Sequence, residues 1–156
     1  MKIFIAGARS VTALSPEVRQ RMKSISDRGY DVIVGDCYGV DTAVQRFYSD
    51  LGYGNVTVFT SGGRARNNVG NWNIRSIPVP CRVRGFDYYR QKDIAMAREA
   101  DYGFMIWDGK SRGTLNNIVT LVSQNKKVLM YLTTQDKMFV IKNDSDLSAL
   151  LRSCGR

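Results

Sequence analysis

Short apolar runs alternate with amphipathic helical segments along most of this chain, and this alternation restricts the fold more than any other feature. The runs at 2–6, 31–34 and 55–59 predict strands, because each is β-prone and too short for a helix. The segments between them repeat apolar residues at helical spacing, as Val18, Met22 and Ile25 do. Strands joined through helices lie parallel, with right-handed crossovers. The pattern therefore predicts an α/β fold: a Rossmann-like three-layer domain with a mainly parallel sheet and helices on both faces.

The second half of the chain continues the same pattern after one interruption. Strands are predicted at 103–107, 127–132 and, as an edge strand, 138–142; helices are predicted at 88–99, at 115–124 and from Asp144 or Ser145 to about residue 151. Residues 60–86 are rich in Gly, Asn and Pro, and their apolar residues favour an ordered binding loop. No repeat or linker divides the chain, so residues 1–156 are interpreted as a single domain.

The positive charge is concentrated in one segment. The formal net charge is +9, and residues 61–98 contribute +6 of it, from eight basic and two acidic residues. Such a segment indicates an anionic partner: a phosphate, a nucleotide or a nucleic acid. A basic loop that contacts solvent alone is the alternative.

Residue usage excludes several kinds of chemistry. The chain has no histidine, so Ser-His and Cys-His catalytic units are excluded and a zinc site is not expected. Its three cysteines are widely spaced and indicate reduced thiols. No apolar run approaches the roughly 20 residues of a membrane span, and the apolar start is too short for a signal peptide. We expect a cytoplasmic protein with no membrane partner, no metal and no cofactor.

The loop after strand 103–107 is the strongest candidate for anion binding, because a strand, a glycine-rich loop and a helix follow one another there. Its predicted phosphate-binding residues are Gly109, Lys110, Ser111, Arg112, Gly113 and Thr114. A plain polar turn with Thr114 as the helix cap is the alternative. Asp108 is the carboxylate at this loop and the best candidate for acid/base catalysis, although ordering the loop is the favoured role for it.

Two earlier strands also end in polar turns, and the carboxyl ends of parallel strands are where α/β sheets bind ligands. The first turn predicts phosphate contacts from Gly7, Ala8, Arg9 and Ser10. Ribose or base contacts are predicted for Asp36, Gly39, Asp41, Arg90, Asn116 and Asn117. Asp41 is equally interpretable as a helix cap, and Arg90 and Lys92 as solvated helix charges. Tyr88, Tyr89 and Trp72 could stack on a base, but such aromatic residues are more often core.

These motifs, taken in order, resemble a known group of proteins. The order Lys92-Asp93-x-x-Met96-x-x-x-Ala100-Asp101, a strand, and then a glycine loop ending in Gly113-Thr114 is similar to the signature of the LOG proteins. LOG proteins are nucleotide-processing Rossmann-like proteins once described as lysine decarboxylases. Gly7-Ala8-Arg9 and Gly35-Asp36-x-x-Gly39-Val40-Asp41 resemble the wider SLOG superfamily, which includes DNA-processing protein A. The resemblance covers nearly the whole chain except residues 61–86.

The departures from the LOG pattern decide what the resemblance implies. LOG phosphoribohydrolases carry a catalytic Glu where this chain has Asn117, and a catalytic Arg where it has Lys92. An amide cannot serve as a carboxylate base or offset an oxocarbenium charge, so family-type cleavage is in doubt. Lys92 is, with Asp108, a candidate catalytic residue. The resemblance also implies a homodimer or a higher oligomer.

Three hypotheses follow, in order of preference. The first is binding or sensing of a nucleotide derivative, such as a nucleoside monophosphate, ADP-ribose or a cyclic nucleotide. The second is an enzyme that acts on nucleotides, either an N-glycosidase (phosphoribohydrolase) or a ribosyltransferase, which would use Asp108, Asp36 or Asp41. The third is single-stranded nucleic-acid binding, for which the basic segment and Trp72 would supply charge and stacking.

Overall fold

The chain folds around one seven-stranded sheet, which the computed structural model describes together with five helices over residues 1–155. The strands are β1 Lys2–Gly7, β2 Asp31–Val34, β3 Val56–Ser61, β4 Asn73–Ile77, β5 Tyr102–Trp107, β6 Lys127–Leu132 and β7 Lys137–Ile141. The helices are α1 Pro16–Asp27, α2 Val40–Leu51, α3 Gly85–Glu99, α4 Arg112–Ser123 and α5 Asp144–Ser153. No helix within residues 1–155 is long and apolar enough to cross a membrane.

The strand order is β4-β3-β2-β1-β5-β6-β7. Every neighbouring pair is parallel except β6 and β7, which form an antiparallel pair in which Met130 lies opposite Phe139. The chain therefore builds outward from β1 to β4, and returns to place β5 on the other side of β1. The predicted α/β architecture with a mainly parallel sheet is confirmed.

Alternating side chains of the strands supply two separate cores, one on each face of the sheet. On β1, Ile3 and Ile5 pack towards α1 and α2, while Phe4 and Ala6 pack towards α3, α4 and α5. β5 and β6 divide their side chains in the same way. Strands buried on both faces have near-continuous apolar sequences, so these strands can be predicted although their apolar and polar residues do not alternate.

The predicted loop at 60–86 contains β4, which the sequence did not indicate. β4 pairs in parallel with β3 at the edge of the sheet, and four of its five residues are exposed. An edge strand covered on so little of its surface needs few apolar residues, so its sequence resembles a loop. The rest of the segment is ordered by side chains, among them Trp72, whose Nε1 donates to the carbonyl of Tyr53.

Three helix starts differ from the prediction. α4 begins at Arg112 rather than at 115, and Ser111 is its cap in place of Thr114. α3 begins at Gly85 rather than at 88, with no side-chain cap. Asp41 lies in the first turn of α2, after Gly39 at the N-cap position, and its carboxylate turns back to the preceding loop. Local sequence favours hydroxyl and carboxyl caps in general, but the tertiary path of the chain decides which one is used.

Candidate functional site

A cleft with a volume of about 510 Å³ lies at the carboxyl ends of the central strands. β1 and β5 are neighbours there, although the chain leaves β1 in the direction of β2. This is the point where the strand order reverses, and open α/β sheets bind ligands at such points. A cavity of about 340 Å³ at the opposite ends of the strands contains none of the predicted site residues.

The floor of the cleft is backbone from the end of β1. A Cβ atom on Gly7 would lie 2.4 Å from the carbonyl oxygen of Ile106 and 2.6 Å from Cγ2 of Val40, so no larger residue fits between β5 and α2. Gly39 packs in the same way against the backbone of Arg9. These contacts hold the turns after β1 and β2 together and leave the side chain of Arg9 at the edge of the cleft.

One wall of the cleft is the first turn of α4. Ser111 caps this helix: its Oγ accepts a hydrogen bond from Oγ1 of Thr114, at 3.1 Å, and one from the Thr114 backbone N–H. Ser111, Arg112, Gly113 and Thr114 all line the cleft. A helix N-terminus carries positive potential and N–H groups without intrahelical partners, so this wall favours anions.

Asp108 orders the loop that leads into α4. Its Oδ1 accepts hydrogen bonds from the backbone N–H groups of Lys110 and Ser111, and its Oδ2 accepts one from the hydroxyl of Ser10. Burial opposes the charge of this carboxylate, but these hydrogen bonds hold the pKa of Asp108 below its ordinary value. Both oxygens are thus engaged, and Asp108 does not line the cleft.

A buried ionic cluster lies at the base of the opposite wall, between α2 and α3. The ammonium of Lys92 lies 2.8 Å from Oδ1 of Asp93, and Lys92 is only 2% exposed. Asp41 lies beside this pair, because its Oδ2 and the Lys92 Nζ pack against the same face of Gly35. The amide of Asn117 donates to Oδ2 of Asp93 at 3.4 Å. The charge of Lys92 therefore interacts with two carboxylates that line the cleft, those of Asp41 and Asp93.

Burial shifts the protonation of this cluster. It raises the pKa of Asp41 to about 7, although the charge of Lys92 opposes the shift. Burial would lower the pKa of Lys92, but Asp93 and the other anionic groups beside it hold that pKa above its ordinary value. Burial also raises the pKa of the Cys37 thiol, so this cysteine is not an activated nucleophile. The lysine stays charged, and Asp41 can exchange a proton near neutral pH.

Asp36 holds the 61–72 segment rather than facing the cleft. It accepts hydrogen bonds from the Thr60 hydroxyl and the Arg66 backbone, both at 2.9 Å, and pairs with the Arg66 guanidinium at 3.0 Å. Burial opposes the charge, but Arg66 and Thr60 hold the pKa of Asp36 below its ordinary value. The same guanidinium lies 4.3 Å over the ring of Tyr89, which does line the cleft.

The mouth of the cleft combines arginines with exposed aromatic rings. Arg9, Arg90 and Arg112 line it, and among residues 1–155 no carboxylate lies within the 4.0 Å of an ion pair from any of them. Phe86 and Tyr89, from the first turns of α3, lie on the same rim. The rim therefore carries positive charge and flat aromatic rings, while the base of the cleft is an ionic cluster whose members form hydrogen bonds.

The structure brings about half of the predicted residues into this cleft. The predicted residues that line it are Gly7, Arg9, Asp41, Arg90, Lys92, Ser111, Arg112, Gly113, Thr114 and Asn117. Those that do not line it are Ala8, Ser10, Asp36, Gly39, Asp108, Gly109, Lys110 and Asn116. Ser10, Asp36 and Asp108 of the second group hold the turns through hydrogen bonds, and Gly39 does so by close packing. Trp72 also lies elsewhere, packed against the core on the α1 and α2 face.

Sequence reasoning missed five lining residues, namely Ala6, Cys37, Gly85, Phe86 and Asp93. Asp93 carried a signal, because it follows the candidate Lys92 directly and is one of two carboxylates in the basic segment. Phe86 carried none, since it stood in a predicted loop ahead of the predicted start of the helix. Tyr89, weighed as a stacking residue or as core, lies on the rim and is 41% exposed.

Comparison with known proteins supports the fold and leaves the family open. No protein-family model and no curated protein matches this sequence. Among solved structures, the chain is similar to DNA processing protein A from Helicobacter pylori, a protein that binds single-stranded DNA. The TM-score is 0.65 at 14% sequence identity, over 99% of this chain and 73% of that one. At this identity the likeness establishes a shared fold.

Proposed function

We propose that this protein binds a nucleotide-like anion in the cleft at the ends of β1 and β5. The observation that carries the proposal is the convergence of Arg9, Arg90 and Arg112, none with a carboxylate partner in residues 1–155, on a cleft whose wall is the first turn of α4. Three guanidinium groups that pair with no carboxylate in residues 1–155, beside a helix N-terminus, favour a phosphate. The polar groups of Asp41, Asp93 and Asn117 supply partners for sugar hydroxyls at the other end.

Thermal stabilisation by a ligand panel tests this proposal. A panel of AMP, ADP-ribose, a cyclic nucleotide and ribose 5-phosphate is expected to include at least one stabilising ligand. At about a hundredfold excess over Kd, binding adds about 2.7 kcal/mol to the free energy of unfolding. Arg112→Gln is expected to remove most of this effect, while Arg19→Gln, which changes an exposed arginine on α1, is expected to keep it. A panel without any stabilising member contradicts the proposal.

We infer binding without cleavage of the N-glycosidic bond. Asp108 and Asp36 are engaged in structural hydrogen bonds, and an amide, Asn117, lies beside Asp93 in the cleft. Chromatography of AMP after prolonged incubation is expected to show no free adenine. If adenine is released, Asp41→Asn and Asp93→Asn identify the carboxylate responsible, since these are the two that line the cleft.

Single-stranded DNA binding is the second candidate, and two observations favour it. The fold is similar to that of a protein that binds single-stranded DNA, and arginines alternate with exposed rings on the rim. The basic segment has fewer cations free to contact DNA phosphates than its net charge suggests, because Arg66, Arg75 and Lys92 pair with carboxylates. The five other basic residues of the segment have no such partner among residues 1–155: Arg64, Arg82, Arg84, Arg90 and Arg98.

Salt dependence separates the two candidates. For a labelled oligonucleotide of about 16 nucleotides, anisotropy is expected to show affinity that falls steeply between about 50 and 200 mM salt if several phosphates are contacted. The double variant Arg82→Gln, Arg84→Gln would then lower the affinity for the oligonucleotide and leave the affinity for AMP unchanged, because neither residue lines the cleft. An undetectable or salt-independent oligonucleotide affinity removes this candidate.

A further inference from the structure

Phe86 is an exposed aromatic residue with no place in either core. It is 39% exposed and belongs to neither of the two apolar clusters of the sheet. Gly85 precedes it with φ +61°, a left-handed conformation that suits glycine and starts α3 abruptly after the loop. The chain thus delivers a large apolar ring to the mouth of the cleft, where it does little for folding.

The ring lies directly beside the anion-binding wall. The guanidinium of Arg112 stacks over Phe86, 4.2 Å from the ring centroid, and so connects the first turns of α3 and α4 across the mouth. A Cβ atom on Gly113 would lie 3.9 Å from Cε2 of Phe86, which places the edge of the ring against the start of α4. A base on the ring and a phosphate at the helix start would therefore belong to a single small ligand.

The contact between Arg112 and Phe86 is of a kind that a ligand can replace. Cation–π pairs at exposed sites are weak, whereas stacking of a nucleobase on an aromatic side chain is substantially stronger. Arg112 is exposed and has no carboxylate partner in residues 1–155, so it is able to turn from the ring to a phosphate. One movement of this side chain would free the ring for the base and add a phosphate contact.

We infer that Phe86 is the base-stacking platform of the cleft, and that Arg112 leaves the ring for the phosphate when a nucleotide binds. The inference rests on the proposed nucleotide-binding function and adds to it the requirement for an aromatic base. Tyr89 lies one turn further along α3 and carries the guanidinium of Arg66, which the Asp36 ion pair fixes in place. Arg112 can therefore leave the Phe86 ring, whereas Arg66 stays over the Tyr89 ring.

Titration calorimetry with two ligands tests the inference. AMP and ribose 5-phosphate share the phosphate and the sugar ring, and AMP adds the base. The wild-type protein is expected to bind AMP at least about fivefold more tightly, which is the lower end of base stacking expressed as an affinity ratio. Phe86→Ala is expected to abolish this ratio by weakening AMP, while ribose 5-phosphate keeps its affinity or gains slightly, because Arg112 no longer has a ring to contact.

Further variants separate stacking from bulk. Phe86→Leu keeps an apolar side chain without a planar face and is expected to behave like Phe86→Ala, while Phe86→Trp is expected to restore or increase the preference for AMP. Arg112→Gln is expected to weaken both ligands. Urea unfolding of the Phe86 variants is expected to match the wild type, since the ring lies outside both cores.

The outcomes distinguish this inference from the function on which it rests. If ribose 5-phosphate binds and AMP binds no more tightly, the inference fails while anion binding stands. A Phe86→Ala variant that weakens both ligands equally, or neither, also overturns it. If neither ligand binds the wild-type protein, both the proposed function and the platform are wrong.

Discussion

Individual buried charges define the base of the cleft, and Asp41 is the one whose protonation changes near neutral pH. Its environment is built from the Cys37 N–H, which donates to it at 3.1 Å, and from Lys92 and Asp93 on α3. Asp36 and the Cys37 thiol face the same region. Burial dominates over the attraction of Lys92, so Asp41 is held in a site that favours its neutral form at and below neutral pH.

This environment makes a prediction about stability and pH. The pKa of Asp41 is about 7 in the folded chain, against an ordinary value of 3.8 for the free side chain. As pH rises between these values, the unfolded chain releases the proton first, so the stability contributed by this site falls. Asp41→Asn is therefore expected to match the wild type at about pH 4 and to exceed it by roughly 1–3 kcal/mol at about pH 8.

Urea unfolding at the two pH values measures the effect, and Asp50→Asn, which changes an exposed carboxylate at the end of α2, is the control. The control is expected to track the wild type at both values. A difference between Asp41→Asn and the wild type that is the same at both pH values contradicts the assignment.

Lys92 is expected to be a structural necessity as well as a site residue. Its side chain is 3% exposed and is the cation that balances Asp93 and Asp41. Lys92→Met leaves two carboxylates without it, at an expected cost of about 2–4 kcal/mol by urea unfolding near neutral pH. Lys23→Met removes an exposed pair with Asp27 and is expected to cost under about 0.5 kcal/mol. Equal losses in the two variants would show that Lys92 does not hold the cluster.

At the scale of elements, the start of α4 is the proposed anion-binding wall, and Ser111 also stabilises this helix as its cap. Ser111→Ala removes the acceptor for Thr114 and is expected to cost about 1 kcal/mol, while also weakening AMP. Ser15→Ala removes the equivalent cap of α1, where Oγ accepts from Val18, and α1 does not line the cleft. We expect a similar loss of stability there with no change in AMP affinity.

Thermal unfolding with and without AMP measures both quantities for each variant. If Ser15→Ala weakens AMP as much as Ser111→Ala does, general destabilisation accounts for the effect, and the α4 terminus is not the anion-binding wall.

The element that sequence reasoning missed, β4, shows the limit of local patterns. Asn73–Ile77 becomes a strand because β3 offers it a free edge, and the ion pair between Arg75 and Glu99 fastens it to α3. Neither partner is near it in sequence. Strands that are buried on both faces, such as β1 and β5, were predicted to within one residue because burial on both faces requires continuous apolar sequence.

At the scale of the whole molecule, we expect one cooperative unfolding transition. Both cores share the strands of a single sheet, since the same strands contribute alternate side chains to each face. Circular dichroism and tryptophan fluorescence are expected to give coincident urea curves; Trp107 reports the core on the α3 to α5 face and Trp72 the opposite one. Separate transitions would contradict the prediction of a single domain.

Association of two chains remains a prediction from the LOG resemblance. Sedimentation equilibrium is expected to give twice the chain mass of 17.6 kDa, or a higher multiple of it. A mass equal to that of one chain would limit the LOG resemblance to the fold and the site loops.

The sequence by itself determined the α/β class, the strands of the central sheet and the turns that meet at its carboxyl edge. These features follow from apolar burial on both faces and from glycine-bearing turns, which are local properties of the chain. Tertiary structure alone decided which of the turn residues face the cleft: Asp108 and Asp36 bind the backbone around them, while Asp93 and Phe86 enter the site. The groups that a side chain can reach belong to segments far away in sequence. They therefore depend on how α3 packs against α4 and the sheet.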